Sequence, residues 1–485
     1  MNQINIRLVL KFLGITHMLE SFFMASATVV AFCNKGSDFY PLLISCGIML
    51  SAGMIFYFIG RNANDYHVDR REGMLTVTLT WLLLSFFGMM PFLLGGYIPD
   101  VTDAYFETMS GFTTTGATIL NDIEVLPHGI LFWRSLTQWQ GGIGIIVFSV
   151  ALMPIFGGTA MQLFDAEISG ITHEHFLPRV TQVAKRLFFI YLLITAVLTM
   201  ALWAGPMNLY DAVNHALTTV STGGYSTKNE SIAYWDSPYI EYLTVFFMSI
   251  GAINFSLLYF TFKGQIKRLL NDGEFRWFYS IIIIATFATA GWLLLHHFEG
   301  SVELVFRRAV FQVVALLSTT GYLTSDFSAW GVFFSIIALI LMTICGCAGS
   351  TSGGFKMGRF IILVKNMLNE FKKQTHPNAV IPLRIRGKVI HSNVVQRVQT
   401  FAFVFILLIV CGCSIFLLNG LGLTEALGTA VSAICNIGPA LGKYACGNFA
   451  DLPNLSKWTA SILMMVGRLE IFTVLTILLP GFWKK

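Results

Sequence analysis

Four short stretches of small and hydroxylated residues, each closing on a glycine, are where this chain could do chemistry. They are Thr113-Thr114-Thr115-Gly116, Val220-Ser221-Thr222-Gly223, Ser318-Thr319-Thr320-Gly321 and Cys435-Asn436-Ile437-Gly438. A run of helix-compatible residues leads into each, beginning at Asp103, Tyr210, Phe306 and Leu423. What these residues offer in common is oxygen. Main-chain carbonyls can replace the hydration shell of a cation, and Thr and Ser hydroxyls can add to them. Glycine suits such a site because it adopts φ > 0 freely and lets backbones approach closely. One Thr-Thr-Gly is more often a turn than a filter. Four of them, each between two apolar segments, form a long-period repeat that outranks any local motif.

A second constellation is Cys345-Gly346-Cys347-Ala348-Gly349-Ser350-Thr351-Ser352-Gly353-Gly354, which interrupts an apolar run starting near Trp330. A helix rises about 1.5 Å per residue, so the interruption falls inside a bilayer, past its middle. Its glycines disfavour helix. Tight helix packing through small residues is one reading, and a flexible loop obstructing a pore, acting as its gate, is the one favoured here. Arg468 lies in the last apolar run, within Met465-Val466-Gly467-Arg468-Leu469-Glu470. A deeply buried arginine needs a partner, and the carbonyls of the 345–354 loop or Glu470 are the candidates. Lys356 could snorkel to the inner interface. Arg134, Asn214 and His215 are expected to anchor the short helices, with a proton relay as the alternative. Gln138-Trp139-Gln140-Gly141-Gly142-Ile143-Gly144 is expected only to pack against one. Cys345-Gly-Cys347 and Cys411-Gly-Cys413 have no His or second Cys pair beside them, so the cysteines read as small apolar residues rather than metal ligands.

The elements that must position these residues follow from composition. Of 485 residues, 55% are hydrophobic and 12% charged, against roughly 25% charged in soluble domains. Part of the surrounding solvent must be lipid. A span needs about 20 mostly apolar residues. Candidates fall at 6–33, 39–60, 73–96, 130–155, 183–205, 240–262, 277–297, 329–366, 398–420 and 457–480. The expected fold is an all-α membrane protein of ten transmembrane helices. Two are additional N-terminal helices (1–72). The rest form four pseudo-repeated helix–pore-loop–helix units around a central pore: 73–155, 156–263, 264–367 with a broken second helix, and 368–485 with a cytoplasmic connector.

The loops 61–72, 156–186, 263–276 and 356–397, together with the termini, hold 23 of the 31 Lys and Arg residues. By the positive-inside rule both termini are cytoplasmic. The opposite loops carry acids, among them Asp100, Asp103, Glu107, Asp122, Glu124, Asp211, Glu230, Asp236, Glu303, Asp326 and Glu425. Ordinary topology bias is one reading, which explains the missing bases but not the abundance of acids; a mouth that concentrates cations is the other. A short helix dipping in from that side points its partly negative C-terminal end at the membrane centre, and four converging ends favour a cation there.

The repeated plan, with one glycine per filter segment, resembles the Trk/Ktr/HKT superfamily of potassium transporters over residues 73–480. The two extra N-terminal spans are similar to its TrkH/TrkG branch. The resemblance implies potassium uptake across a bacterial inner membrane. It makes Gly116, Gly223, Gly321 and Gly438 the filter glycines, with carbonyls of the three preceding residues coordinating potassium. Glycine at 116, where serine accompanies sodium permeation in the family, implies a preference for potassium. The fourth segment departs most, with Cys435-Asn436-Ile437 in place of hydroxyl residues. In the family, an arginine at the position of Arg468 forms a cationic barrier beside the loop. The resemblance further implies a homodimer and a cytosolic nucleotide-binding regulatory partner of TrkA type, which the basic 356–397 segment could help dock. No cofactor is expected, no metal other than potassium at the filter, and no nucleic acid. A proton- or sodium-coupled symporter of the same fold is the alternative, but Glu20 and Glu470 are the only obvious carboxylates at mid-membrane depth. An enzyme would need a Ser/His, Asp/Asp or His/metal constellation at that depth, and none is found.

Overall fold

The computed structural model describes residues 4–63, 69–152, 176–296, 300–379, 381–385, 388–446 and 448–484. Most of the expected polar stretch at 155–182 therefore lies outside the described residues. Among those described, six helices are long and apolar enough to cross a membrane: Ile6–Cys33, Phe39–Gly60, Arg70–Leu94, Val183–Trp203, Gly273–Leu295 and Ser392–Leu418. Their outward faces carry large bare apolar side chains, such as Phe22, Ile284, Phe287 and Phe403, each at least 65% exposed. So many exposed aromatics and isoleucines suit a lipid solvent and not water.

Two expected spans are not straight. Residues 240–262 divide into Pro238–Gly251 and Phe255–Phe262, bent by 107°. Residues 457–480 divide into Asn454–Arg468 and Ile471–Leu478, bent by 114°. The first bend is built by Asn254, whose side-chain oxygen accepts from the backbone N–H groups of Ser256 and Leu257 and starts a new helix. Such a cap satisfies donors that hydrocarbon could not. The second turns at Glu470, held at φ 62°. The third interruption is the anticipated one: Val332–Ile344 and Met357–Thr375 flank the 345–354 loop. Its edges, Cys345 and Lys356, both sit at positive φ, 59° and 76°.

Four short helices, Val101–Phe112, Leu209–Val220, Val302–Leu317 and Leu423–Cys435, sit inside this shell. The longest has 16 residues, about 24 Å of helix, short of a hydrocarbon core of about 30 Å. Each carries an acid in its first turn: Asp103, Asp211, Glu303 and Glu425. The first three are also capped by side chains, Asp100, Asn208 and Ser301. Negative charge at the N-terminus complements the helix dipole. Their middles are fully enclosed, as Phe106, Ala216, Ala315 and Ala430 illustrate. The all-α expectation needs one small correction. Arg384–Ile385 and Lys388–Val389 pair as a minimal antiparallel hairpin in the basic connector.

Candidate functional site

The four glycine-ended segments, far apart in sequence, meet in one ring. A β-carbon added to Gly116 would lie 2.1 Å from the carbonyl oxygen of Gly223, and one on Gly224 would lie 1.8 Å from that of Thr320. One on Gly321 would lie 1.9 Å from the oxygen of Ile437, and one on Gly438 would lie 2.8 Å from that of Thr115. Each segment thus abuts the next in chain order, and the fourth returns to the first. No side chain fits at these four positions.

This register corrects one expectation. The second ring glycine is Gly224, not Gly223. Gly116, Gly224, Gly321 and Gly438 all have positive φ (82°, 78°, 72° and 99°). Two residues before each stands a non-glycine in the left-handed region: Thr114, Thr222, Thr319 and Asn436, with φ of 53–61°. The residue between them donates its backbone N–H five residues back in three of the segments: Thr115 to Ser110, Gly223 to Thr218 and Ile437 to Ser432. The second segment is therefore Ser221-Thr222-Gly223-Gly224. Val220 belongs to the helix before it. The fourth segment, Cys435-Asn436-Ile437-Gly438, follows the same backbone course despite its different side chains. Sequence reasoning chose the first glycine of a Gly-Gly pair because it matched a Thr-Gly pattern. A better signal was available: Gly224-Tyr225 and Gly321-Tyr322 share a following tyrosine. Both tyrosines are buried, and each hydroxyl reaches back to the preceding short helix. Tyr225 donates to Glu107 O at 2.7 Å, and Tyr322 donates to His215 O at 3.2 Å.

Side chains behind the ring hold it. Arg134 bonds Glu107 at 2.6 Å, donates to Ser226 O at 3.0 Å and stacks 3.5 Å from the Tyr225 ring. Glu107 also accepts from Thr118 Oγ1 and Ile119 N. It is 1% exposed, so it is no part of the electronegative mouth to which its position had assigned it. His215 lies between Asp211 O and Ser226 Oγ, and Asn214 donates to Tyr210 O. Gly141 brings the helix His128–Leu152 against the end of the first short helix; a β-carbon there would lie 2.0 Å from Phe112 O. Beyond the fourth segment, the hydrogen bond from Lys443 to Asp451, 2.6 Å long, keeps that carboxyl below its ordinary range.

The 345–354 loop lies against the ring. Thr351 Oγ1 donates to Val220 O and Gly251 O and accepts from Thr222 Oγ1. Gly353 N donates to Thr319 Oγ1 at 3.0 Å, and a β-carbon on Gly353 would meet Cys435 O at 2.3 Å. Cys345, Gly346, Ser350, Ser352 and Gly354 complete the loop; Ser350 and Ser352 share a hydroxyl contact, and Gly349 O accepts from Phe255 N. Arg468, 3% exposed, donates to Thr351 O at 2.7 Å and to Gly141 O at 2.9 Å. It joins the loop to the helix His128–Leu152. Glu470 is not its partner; that carboxylate pairs with Arg359 at 2.5 Å, because the bend at Glu470 turns it away. Lys356 does not snorkel outward either. It donates to Ser352 O and so closes back on the loop. Glu274 accepts from Ala348 N at 3.0 Å, a contact sequence reasoning missed. No cluster of metal-ligating side chains occurs among the described residues, and the ring presents oxygens of the main chain instead.

Residues 47–481 match the family model described as TrkH, a cation transport protein. The chain is 35% identical to the Trk system potassium uptake protein TrkH of Vibrio parahaemolyticus, covering 99% of both chains. It is 34% identical to the TrkH of Escherichia coli K12, again covering 99% of each, and 30% identical to that organism's TrkG over the full length of both. Its fold superposes on the crystal structure of the potassium transporter TrkH from Vibrio parahaemolyticus with a TM-score of 0.91 at 34% identity, over 99% of this chain and 100% of that one.

Proposed function

The chain belongs to the TrkH family of cation transport proteins, and on that premise we propose that it is a potassium uptake protein whose ions pass through the ring of four segments. Its relatives named above are Trk system potassium uptake proteins, and its helices suit a multi-pass protein of the bacterial inner membrane. Ten crossings, counting the bent and broken ones, arranged as two N-terminal helices and four units around one axis, are part of this reading. So are cytoplasmic termini, a homodimer, and a regulatory partner of TrkA type docking near the basic 356–397 segment.

One observation carries the reading: the cyclic closure of Gly116, Gly224, Gly321 and Gly438 against the carbonyl of the next segment. Irregular backbone at membrane depth is tolerated where protein buries it or where it lines a water-filled path. Four inward helix ends bring partial negative charge to that place, and carbonyl oxygens replace the water an ion gives up. The 345–354 loop under the ring, tied by Arg468, serves as the gate, and the guanidinium adds a positive barrier on the inner side.

The test is the reversal potential of the reconstituted protein under opposed potassium and sodium gradients, with rubidium uptake as a flux control. Gly224→Ala places a methyl 1.8 Å from Thr320 O in a left-handed backbone. It should lower the potassium-to-sodium permeability ratio at least about tenfold, roughly the effect of a 1.4 kcal/mol difference. An unchanged ratio in a correctly folded variant removes the filter from this ring. A reversal potential set by the pH gradient favours the coupled symporter instead.

A further inference from the structure

The four segments of the ring are not braced alike. In the first, the hydroxyls of Thr113 and Thr115 clasp each other at 2.8 Å. In the third, Ser318 and Thr320 do the same at 2.8 Å. The fourth has Ile437 at the clasp position, and Asn436 holds it instead, donating to Thr115 Oγ1 and Met464 O. The second has Ser221 but no hydroxyl two residues on to clasp, because position 223 is glycine. It also carries two consecutive glycines, the most conformationally free pair a chain can have.

Gln138, on the helix His128–Leu152 and 0% exposed, fills that gap. A β-carbon built on Gly223 would find its three nearest atoms all in the Gln138 amide, at 2.4, 2.4 and 2.9 Å. The amide therefore occupies the volume of the absent side chain. It also makes the absent bonds. Its Nε2 donates to Gly223 O at 2.7 Å, and its Oε1 accepts from Tyr225 N at 3.0 Å. Gly224 is thus pinned on both flanks. The same Gly223 oxygen is the one that abuts Gly116, so its position bears on two segments of the ring.

We propose that Gln138 is a positioning residue for cation selectivity, standing in from a neighbouring helix for the side chain that the second segment lacks. This rests on the reading of the ring as the ion filter. Discrimination between ions, whether by cage size or by the field of the carbonyls, requires that the oxygens be held. A carbonyl has two lone pairs; the amide takes one and leaves the other for an ion.

The exchange is testable because φ at Gly223 is not left-handed, so a side chain there meets steric obstruction first from Gln138 itself. Gln138→Leu removes both hydrogen bonds while keeping bulk. Gln138→Ala combined with Gly223→Thr vacates the volume and gives Ser221 a hydroxyl partner two residues on, a clasp like that of the first and third segments. Reversal potentials are read on the reconstituted full chain. Gln138→Leu and Gln138→Ala should lower the potassium-to-sodium permeability ratio at least about tenfold, and the double variant should recover it to within about threefold. The recovery is the readout a merely structural role would not give. The proposal is overturned if Gln138→Leu keeps the parent ratio, or if the folded, conducting double variant is as unselective as Gln138→Ala. Gly224→Ala separates the two levels: if it abolishes selectivity while the Gln138 variants do not, Gln138 loses its role and the filter stands. If none of them alters the ratio, the filter reading falls as well.

Discussion

Arg134 and Glu107 show what a single buried charge does here. The carboxylate receives the guanidinium, a threonine hydroxyl and a backbone N–H, so the first short helix, the helix of Gln138 and the stretch at Thr118-Ile119 are joined at one point. Removing one member strands a buried charge, which costs about 3–5 kcal/mol. Glu107→Leu and Arg134→Leu should each lower the thermal midpoint of the detergent-solubilised protein markedly. The double variant should be less damaged than the sum of the two; strict additivity would mean that the pair is not coupled. At this scale the sequence was only partly legible. The types of the ring residues and the depth of Arg468 could be read directly. The displacement from Gly223 to Gly224 escaped a reading by spacing, which cannot decide between adjacent glycines; only the shared Gly-Tyr pair carried it. Of the two candidate partners of Arg468, a carbonyl of the 345–354 loop was legible and is found at Thr351 O; that Glu470 is not the other depended on a turn that no residue type announces.

Among elements, the interrupted helix between Ile344 and Met357 was the most readable, since a glycine-rich decapeptide can hardly be helical. The bends after Gly251 and Arg468 were not. One is made by a lone asparagine acting as a cap, and the other by a glutamate in a left-handed conformation; neither stretch holds the proline or glycine cluster that would announce a break. The loop makes hydrogen bonds to segments two and three and backbone contact with segment four. Through Arg468 it is tied to the helix His128–Leu152. If it is the gate, deleting 345–354 should raise rubidium flux several-fold, and Arg468→Ala should raise it more mildly because one tether of several is cut. Flux that is unchanged or lower in an inserted, folded deletion would remove the gating role.

At the level of the whole molecule, charge placement argues for one orientation in the membrane. Cys33 and Cys446 are exposed and lie in stretches read as external, whereas Cys411 is exposed on an apolar helix facing lipid. A membrane-impermeant maleimide added to intact cells should label the first two and spare Cys411, which faces lipid that the charged reagent does not enter. Labelling of Cys33 only after the membrane is breached would invert the topology. The ring itself closes between its first and last parts: Asn436 reaches Thr115, 321 residues earlier, Thr118 bridges to Asn448, and Lys457 pairs with Asp103. A ribosome making this protein therefore inserts three-quarters of the wall before the final quarter exists. Until residues beyond Gly438 emerge, the first segment has no neighbour on one side and the ring has no closed circumference. On the proposed reading of the ring as the ion path, a half-made chain encloses no passage and so admits no leak while the protein is still being built.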